Sequence, residues 1–113
     1  MQYALLIYST EESTPQERRA VEAGVAPVLA RPYVTNWARL HAPQAATTVR
    51  QQQGEILLTD GPFVDTKEFL GGVIFIEVDN LDVALEVAAE LQALRPSNVV
   101  EVRPVRDEVP GGD

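Results

Sequence analysis

DGPFVDTKEFLGG, residues 60–72, is the stretch from which the fold of this 113-residue chain can be worked out. It begins with a turn-forming Asp-Gly-Pro, has a cluster of charged residues in its middle and ends in Gly71-Gly72. The run that follows is the most apolar in the sequence, so a buried strand is predicted over residues 72–78. One helical turn is expected over residues 64–69.

The residues before this stretch predict two further strands and a hairpin. Residues 3–8 are aliphatic and aromatic, and residues 33–38 form a second, weaker β pattern. Residues 47–50 and 55–59 flank the turn-like Gln-Gln-Gln-Gly of residues 51–54, which is typical of a β-hairpin.

A first helix is predicted between the first two strands. Thr14-Pro15-Gln16-Glu17 supplies an N-cap threonine, a proline at the first helical position and a capping-box glutamate. The helix should run to about Arg31. Pro27 lies inside it and lacks an amide hydrogen, so we expect a kink or a break near Gly24. The side chains expected to face the core are Val21, Val25, Val28 and Leu29.

A second helix and a last strand complete the pattern. Asp79 or Asn80 should cap the helix, which ends near residues 94–96. Its predicted apolar face consists of Leu81, Ala84, Leu85, Ala88 and Leu91. Residues 98–105 are predicted to form the last strand, and Pro104 near its end favours an edge strand or a strand terminus. We therefore expect one domain over residues 1–105 and a flexible tail over residues 106–113.

The order strand, helix, strand, strand, helix, strand, with the hairpin inserted, predicts a ferredoxin-like α+β fold. Its two helices cover only one face of the sheet. Residues 3–8 and 73–76 are apolar at both alternating positions, so the other face should also be apolar. Because a monomer rarely exposes so large an apolar patch, we predict a homodimer with a pocket near the joined sheets.

Composition excludes several classes of function. Seventeen acidic residues against nine basic ones give a net charge of −8, which disfavours nucleic-acid and anionic membrane partners. There is no cysteine, so disulfides and cysteine nucleophiles are excluded. No secretory leader or membrane span is recognisable, and a cytoplasmic protein is expected. No phosphate loop or dinucleotide motif is present, so no cofactor is expected.

The central stretch also carries a family signal. Residues 60–63 (DGPF), with residues 65–68 (DTKE) and 70–72 (LGG), closely resemble the signature of the DGPF branch of the YCII-related domain family. Further segments that look like this family are residues 1–8, 46–50, 82–86 and 100–105. The resemblance covers residues 1–105, nearly the whole chain.

The resemblance implies a ferredoxin-like α+β barrel built by dimerisation. Some members look like lyases or dehydrochlorinases that act on chlorinated ring compounds with a histidine–aspartate pair. Others accompany extracytoplasmic-function sigma factors, and most have no known activity. The predicted helix of residues 15–31 contains no histidine, where the enzymatic branch would supply one.

Two residues are candidates for catalysis. Asp60 follows a predicted strand at a Gly-Pro turn, where its carboxylate could transfer a proton or could simply hold the turn through amide hydrogen bonds. His41, the only histidine, is suited to proton transfer, although a lone loop histidine is more often incidental.

Four more residues are candidates for ligand binding: Arg39, Phe63, Lys67 and Glu68. Arg39 could hold a carboxylate bidentately or solvate a strand end. Phe63 could line a pocket or fill the core, and Lys67 with Glu68 could orient an anion or form a solvated pair. One histidine and no cysteine give no recognisable metal-site spacing, so no metal is expected.

Three functions remain open at the level of sequence. The first is a dimeric small-ligand-binding domain of unassigned activity, in which an accessory role in sigma-factor or stress regulation is one form. The second is a cofactor-independent lyase or isomerase, dehydrochlorinase-like, acting on a small ring metabolite with Asp60 as the proton-handling group. The third is a structural oligomerisation module.

Overall fold

A computed structural model describes residues 1–10, 14–64 and 67–108 of the chain. Its elements, in chain order, are β1 (Gln2–Ser9), α1 (Pro15–Leu29), β2 (Val34–Arg39), a 3-10 turn (Pro43–Ala45), β3 (Thr47–Gln52), β4 (Glu55–Asp60), β5 (Phe69–Glu77), α2 (Leu81–Leu94) and β6 (Val99–Pro104). Each strand and each long helix expected from the sequence is therefore present, with bounds that differ by a few residues.

Four strands form the main sheet in the order β2-β5-β1-β6, and all of its neighbours are antiparallel. Both helices supply residues to one core on the sheet. This mixed α+β arrangement is consistent with the predicted ferredoxin-like plan. Strand β6 lies at the edge, as Pro104 predicted, because a proline cannot donate to a central ladder.

Helix α1 begins at the predicted capping box. The Thr14 hydroxyl accepts from the Glu17 amide at 3.1 Å, and the Glu17 carboxylate accepts from the Thr14 amide at 3.0 Å. The prediction of a break near Gly24 is wrong, because the helix is continuous from Pro15 to Leu29. Pro27 lies in the last turn, so it removes a single helical hydrogen bond close to the end. The bond at the C-cap is still made, from the Ala30 amide to the Ala26 carbonyl at 3.1 Å.

Helix α2 is capped by Asn80, whose side chain accepts from the Val83 amide at 3.1 Å. The buried side chains of this helix are Ala84, Val87, Ala88 and Leu91. Leu81 and Leu85 were expected in the core but are exposed, and Val87 takes the place of Leu85. The apolar stripe is therefore rotated by part of a turn from the predicted one.

Strands β3 and β4 form the predicted hairpin, separate from the main sheet. The turn is shorter than expected: Gln52 pairs with Glu55, and Gln53 and Gly54 both have positive φ angles (51° and 81°). This is the backbone geometry favoured in two-residue hairpins. The radius of gyration is 16.0 Å, whereas a compact chain of this size has about 13 Å.

Strand β5 begins earlier than predicted, at Phe69, so that Gly71 and Gly72 lie inside the strand. The helical turn expected over residues 64–69 is not formed at Phe69, and Asp65 and Thr66 lie outside the described residues. The pairing with β1 contains a bulge: Gly72 pairs with Ile7 and Leu70 with Tyr8, which leaves Gly71 as the extra residue.

The two faces of the main sheet differ in burial. On β1, Tyr3, Leu5 and Ile7 are buried against the helices, as alternation requires. The opposite side chains are only half-buried and carry no helix; they are Ala4, Leu6 and Tyr8 of β1 and Val73 and Phe75 of β5. We call these five residues the open face. Both faces are apolar, as the sequence predicted.

The end of the chain returns to β1. The Val105 amide donates to the Gln2 carbonyl at 2.9 Å, and the Glu108 carboxylate accepts from the Gln2 amide at 2.9 Å. The rest of the predicted tail, residues 109–113, lies outside the described residues.

Candidate ligand-binding cleft

A cleft of about 440 Å³ opens beside the first half of α1, where β1 and β2 end and β5 begins. Its polar and charged lining consists of Ser9, Arg18, Glu22, Arg39, His41 and Arg95. Its apolar lining includes Val21, Val25, Leu40, Ala42 and Phe69. The fold thus brings together residues from both helices, three strands and the loop after β2.

Three guanidinium groups face this cleft from different elements. Arg18 comes from α1, Arg39 ends β2, and Arg95 is the C-cap residue of α2. Glu22 is the one carboxylate among the described lining residues. The cleft is therefore cationic in a protein whose net charge is −8.

Arg39 is oriented by two neighbours. Its guanidinium lies over the Trp37 ring, 4.6 Å from the centroid, on the same face of β2. Its Nε is 3.9 Å from Glu22 Oε1, and both side chains remain about two-fifths exposed. A pair at this distance and exposure is weak, so the guanidinium can still accept a stronger anionic partner.

Arg95 is held by the buried Asn98. With the amide oxygen turned toward these donors, Asn98 accepts from Arg95 Nε and Nη2 at 3.0 Å each and from Ser9 Oγ at 3.3 Å. Burial lowers the pKa of the Arg95 guanidinium below its usual value; the nearby Arg39 charge lowers it further, and Glu22 opposes this. A partly buried cation beside a second cation is a favourable place for an anion.

At the bulge in β5, Gly71 lines the cleft, and both Gly71 and Gly72 line a second, adjoining cavity. A Cβ added at Gly71 would lie 3.3 Å from Ser9 Oγ, and one added at Gly72 would lie 3.0 Å from the Ala38 carbonyl oxygen. Because of the extra residue, these two consecutive glycines both lie on the face of the sheet that carries the helices. The second cavity, of about 50 Å³, shares Val25, Gly71, Arg39 and Arg95 with the cleft, so the two spaces adjoin.

Comparison with known proteins gives the family. A family model for the YCII-related domain matches residues 1–109. The chain belongs to the YCII-related domain family. This YCII-related chain is also similar to an uncharacterized protein of Rhizobium meliloti (strain 1021), with 36% identity over 129 aligned positions that cover 98% of this chain and 97% of the relative.

Two of the six site residues predicted from the sequence line the cleft of this YCII-related domain, namely Arg39 and His41. Asp60 does not; it is exposed at the end of β4, opposite Thr47. The turn after it is held by the next residue, since Gly61 donates to the Ala46 carbonyl at 2.8 Å and accepts from the Thr48 hydroxyl at 2.8 Å.

The other three predicted ligand-binding residues also lie outside the cleft lining. Phe63 is exposed, with the Arg50 guanidinium 5.3 Å from its ring centroid. Lys67 and Glu68 are exposed in the segment before β5. The structure therefore separates the DGPF turn of this YCII-related chain from the cationic cleft.

Arg18, Glu22 and Arg95 were not predicted to belong to the site. Arg18 and Arg95 are 77 positions apart in the numbering, and no motif links them. One indirect sequence feature could have pointed to part of the cleft. Side chains from neighbouring elements converge where elements end, and the ends of predicted elements hold Ser9, Arg39 and Arg95.

Two further properties of the described residues bear on function. None of them form a group of three or more His, Asp or Glu side chains suited to a metal ion. Within the same ranges, no helix has the length and apolar character needed to cross a bilayer.

Proposed function

We propose that this YCII-related domain binds a small molecule in the cationic cleft and that it works as a homodimer. The cleft supports the first part of the proposal, the binding of a small molecule. Its volume, about 440 Å³, lies in the range of roughly 300–1,000 Å³ that ligand sites occupy. Its lining combines apolar walls with a few convergent charged groups, which is the usual composition of such a site.

Two uncovered apolar surfaces support the homodimer. The first is the open face of the main sheet. The second is one side of the hairpin, where Val49, Ile56 and Leu58 are between 63% and 70% exposed. These three residues share a side because Val49 pairs with Leu58, and Ile56 lies two residues before Leu58. A two-stranded hairpin is barely stable alone in water, so a second copy of the chain is the proposed cover.

Ligand binding in the cleft can be tested with a library of small neutral and charged fragments, followed in amide NMR spectra of the ¹⁵N-labelled protein. Hits are expected to shift the amides of Ser9, Leu40 and Gly71. An Ala42→Trp variant places an indole at the cleft wall from an exposed position and should abolish these shifts.

Ala45→Trp is the matched control. Ala45 is also exposed and lies three residues further along, outside the cleft lining. Ala45→Trp should bind the same fragments as the wild type and show the same amide shifts. Hits that persist in Ala42→Trp, or that map to the hairpin, contradict the proposed site. A library without a single hit favours the structural oligomerisation module.

His41 in the cleft favours a second candidate function, a cofactor-independent lyase or isomerase. An imidazole beside Arg39 could remove a proton from carbon while the guanidinium stabilises the negative charge that develops. Bound fragments with acidic C–H bonds should then exchange hydrogen for deuterium in D₂O. Exchange in the wild type and its loss in His41→Gln, with fragment binding retained, support this function. Exchange that is the same in both proteins excludes His41 as the base.

A further inference from the structure

The geometry points to a carboxylate on a small organic molecule as the group that the cleft recognises, bound by Arg39 and Arg95 with Arg18 at the side of α1. This inference rests on the proposed small-ligand function and names the chemistry of the ligand. Its basis is the charge balance of the cleft, the unused hydrogen-bond donors of Arg95 and the apolar space behind them.

The distribution of charge is uneven. The whole chain has seventeen acidic and nine basic residues, yet three of the nine basic side chains line one cleft with a single described carboxylate, Glu22. Among the residues that the structure describes, Arg18 and Arg95 form no ion pair, and Arg39 reaches Glu22 only at 3.9 Å. An anion would supply the missing negative charge.

Arg95 has donors left over and is already fixed in place. A guanidinium carries five N–H groups in a planar fork. Asn98 takes one from Nε and one from Nη2, which leaves donors on the remaining edge. Because Asn98 is buried, it holds the fork in one orientation. A fixed fork suits the two oxygens of a carboxylate, which Arg binds bidentately.

The adjoining cavity indicates an organic acid rather than an inorganic anion. It holds about 50 Å³ and is lined by apolar side chains that include Ile7, Leu29 and Ile74, with Arg39 and Arg95 at the boundary shared with the cleft. A ligand with its carboxylate on the guanidinium groups can place a small apolar body against these side chains and against Phe69 and Val25 of the cleft. Inorganic phosphate would leave this apolar space unfilled.

The probes are benzoate, its neutral counterpart benzamide and inorganic phosphate, titrated into the ¹⁵N-labelled wild-type chain at constant ionic strength. Benzoate should shift the cleft amides and bind about tenfold or more tightly than benzamide, because a hydrogen bond to a charged group is worth at least that factor. Phosphate should bind more weakly than benzoate.

Arg39→Gln should weaken benzoate binding about tenfold and leave benzamide nearly unchanged, so that the two affinities converge. Arg18→Gln, on the exposed side of α1, should weaken benzoate by a smaller factor and serves if Arg39→Gln does not fold. Arg50→Gln removes the same charge from β3, outside the cleft, and should behave as the wild type.

Equal affinity for benzoate and benzamide at the cleft would overturn the carboxylate inference and leave small-ligand binding intact. So would phosphate binding more tightly than benzoate, or neutral fragments binding in the cleft while benzoate does not. If neither the probes nor the fragment library bind there, the carboxylate inference and the proposed function both fail.

Discussion

Gly72 has a close backbone neighbour and Gly24 has none, so adding a methyl group should have opposite effects on stability at the two positions. At Gly72 the added carbon would lie 3.0 Å from a backbone oxygen that cannot move aside, so Gly72→Ala should destabilise the fold by about 1–3 kcal/mol. At Gly24, inside α1, nothing lies within 4 Å, so Gly24→Ala should stabilise it by about 0.5–1 kcal/mol.

Urea denaturation followed by circular dichroism measures both changes in the free energy of unfolding. Each variant is the control for the other, since the chemical change is the same. Equal effects of the two substitutions would mean that crowding at the strand does not govern the cost.

At the scale of elements, Arg31 ties the end of α1 to α2. Its Nη1 donates to Glu90 at 2.6 Å and to the Tyr33 hydroxyl at 2.7 Å, and its Nη2 donates to the other Glu90 oxygen. The hydrogen bond from Arg31 is the main cause that lowers the Glu90 pKa below its ordinary value, and the same contact raises the Arg31 pKa. The pair is exposed to solvent, so its contribution is modest.

A pH dependence follows from the lowered pKa. The pair stabilises the folded chain above the ordinary carboxyl pKa of about 4.3 and loses this contribution as the pH falls through the lowered value. The melting temperature of Glu90→Gln should therefore lie below that of the wild type at pH 7, and the gap should close as the pH falls through the lowered pKa of Glu90.

The matched control is Glu86→Gln, one turn earlier on α2, which removes the same charge and leaves the Arg31 contact in place. A gap between wild type and Glu90→Gln that is constant over this pH range would contradict the assignment to Arg31.

The sequence predicted elements best where the chemistry is local. The α1 capping box and the hairpin each depend on a few adjacent residues, and both were found. The buried face of α2 was predicted only in part, because Leu85 and Val87 are both apolar and their spacing does not tell which side meets the sheet.

The site was less predictable than the fold for a related reason. His41 is a candidate because it is the only histidine and suits proton transfer, and Arg39 because it could hold a carboxylate; both line the cleft. Arg18 and Arg95 could not be joined to them, because only the packing of both helices on the sheet brings these residues together. Asp60 is a candidate because it begins a turn, but it is not among the residues that line the cleft.

For the whole molecule, the proposed homodimer predicts which substitutions change its mass in solution. Leu6→Glu on the open face and Leu58→Glu on the hairpin each place a charge on an uncovered apolar surface. Both should shift a wild-type dimer toward monomer at micromolar concentration, because burying an unpaired charge is costly.

Analytical ultracentrifugation measures this shift. Leu85→Glu is the matched control, since Leu85 is exposed on α2 and belongs to neither surface, and it should remain dimeric. A wild-type chain that sediments as a monomer at micromolar concentration would disprove the homodimer.

The bulge in β5 leaves one position out of the pairing with β1. Gly72 pairs with Ile7 and Leu70 with Tyr8, so Gly71 has no partner on β1, although its carbonyl accepts from the Leu40 amide at 2.9 Å. Deleting Gly71 would preserve every pair between β1 and β5, whereas deleting a paired residue would turn the side chains beyond it to the opposite face of the sheet. At this point the number of residues, more than the kind of side chain, decides the shape of the cleft wall.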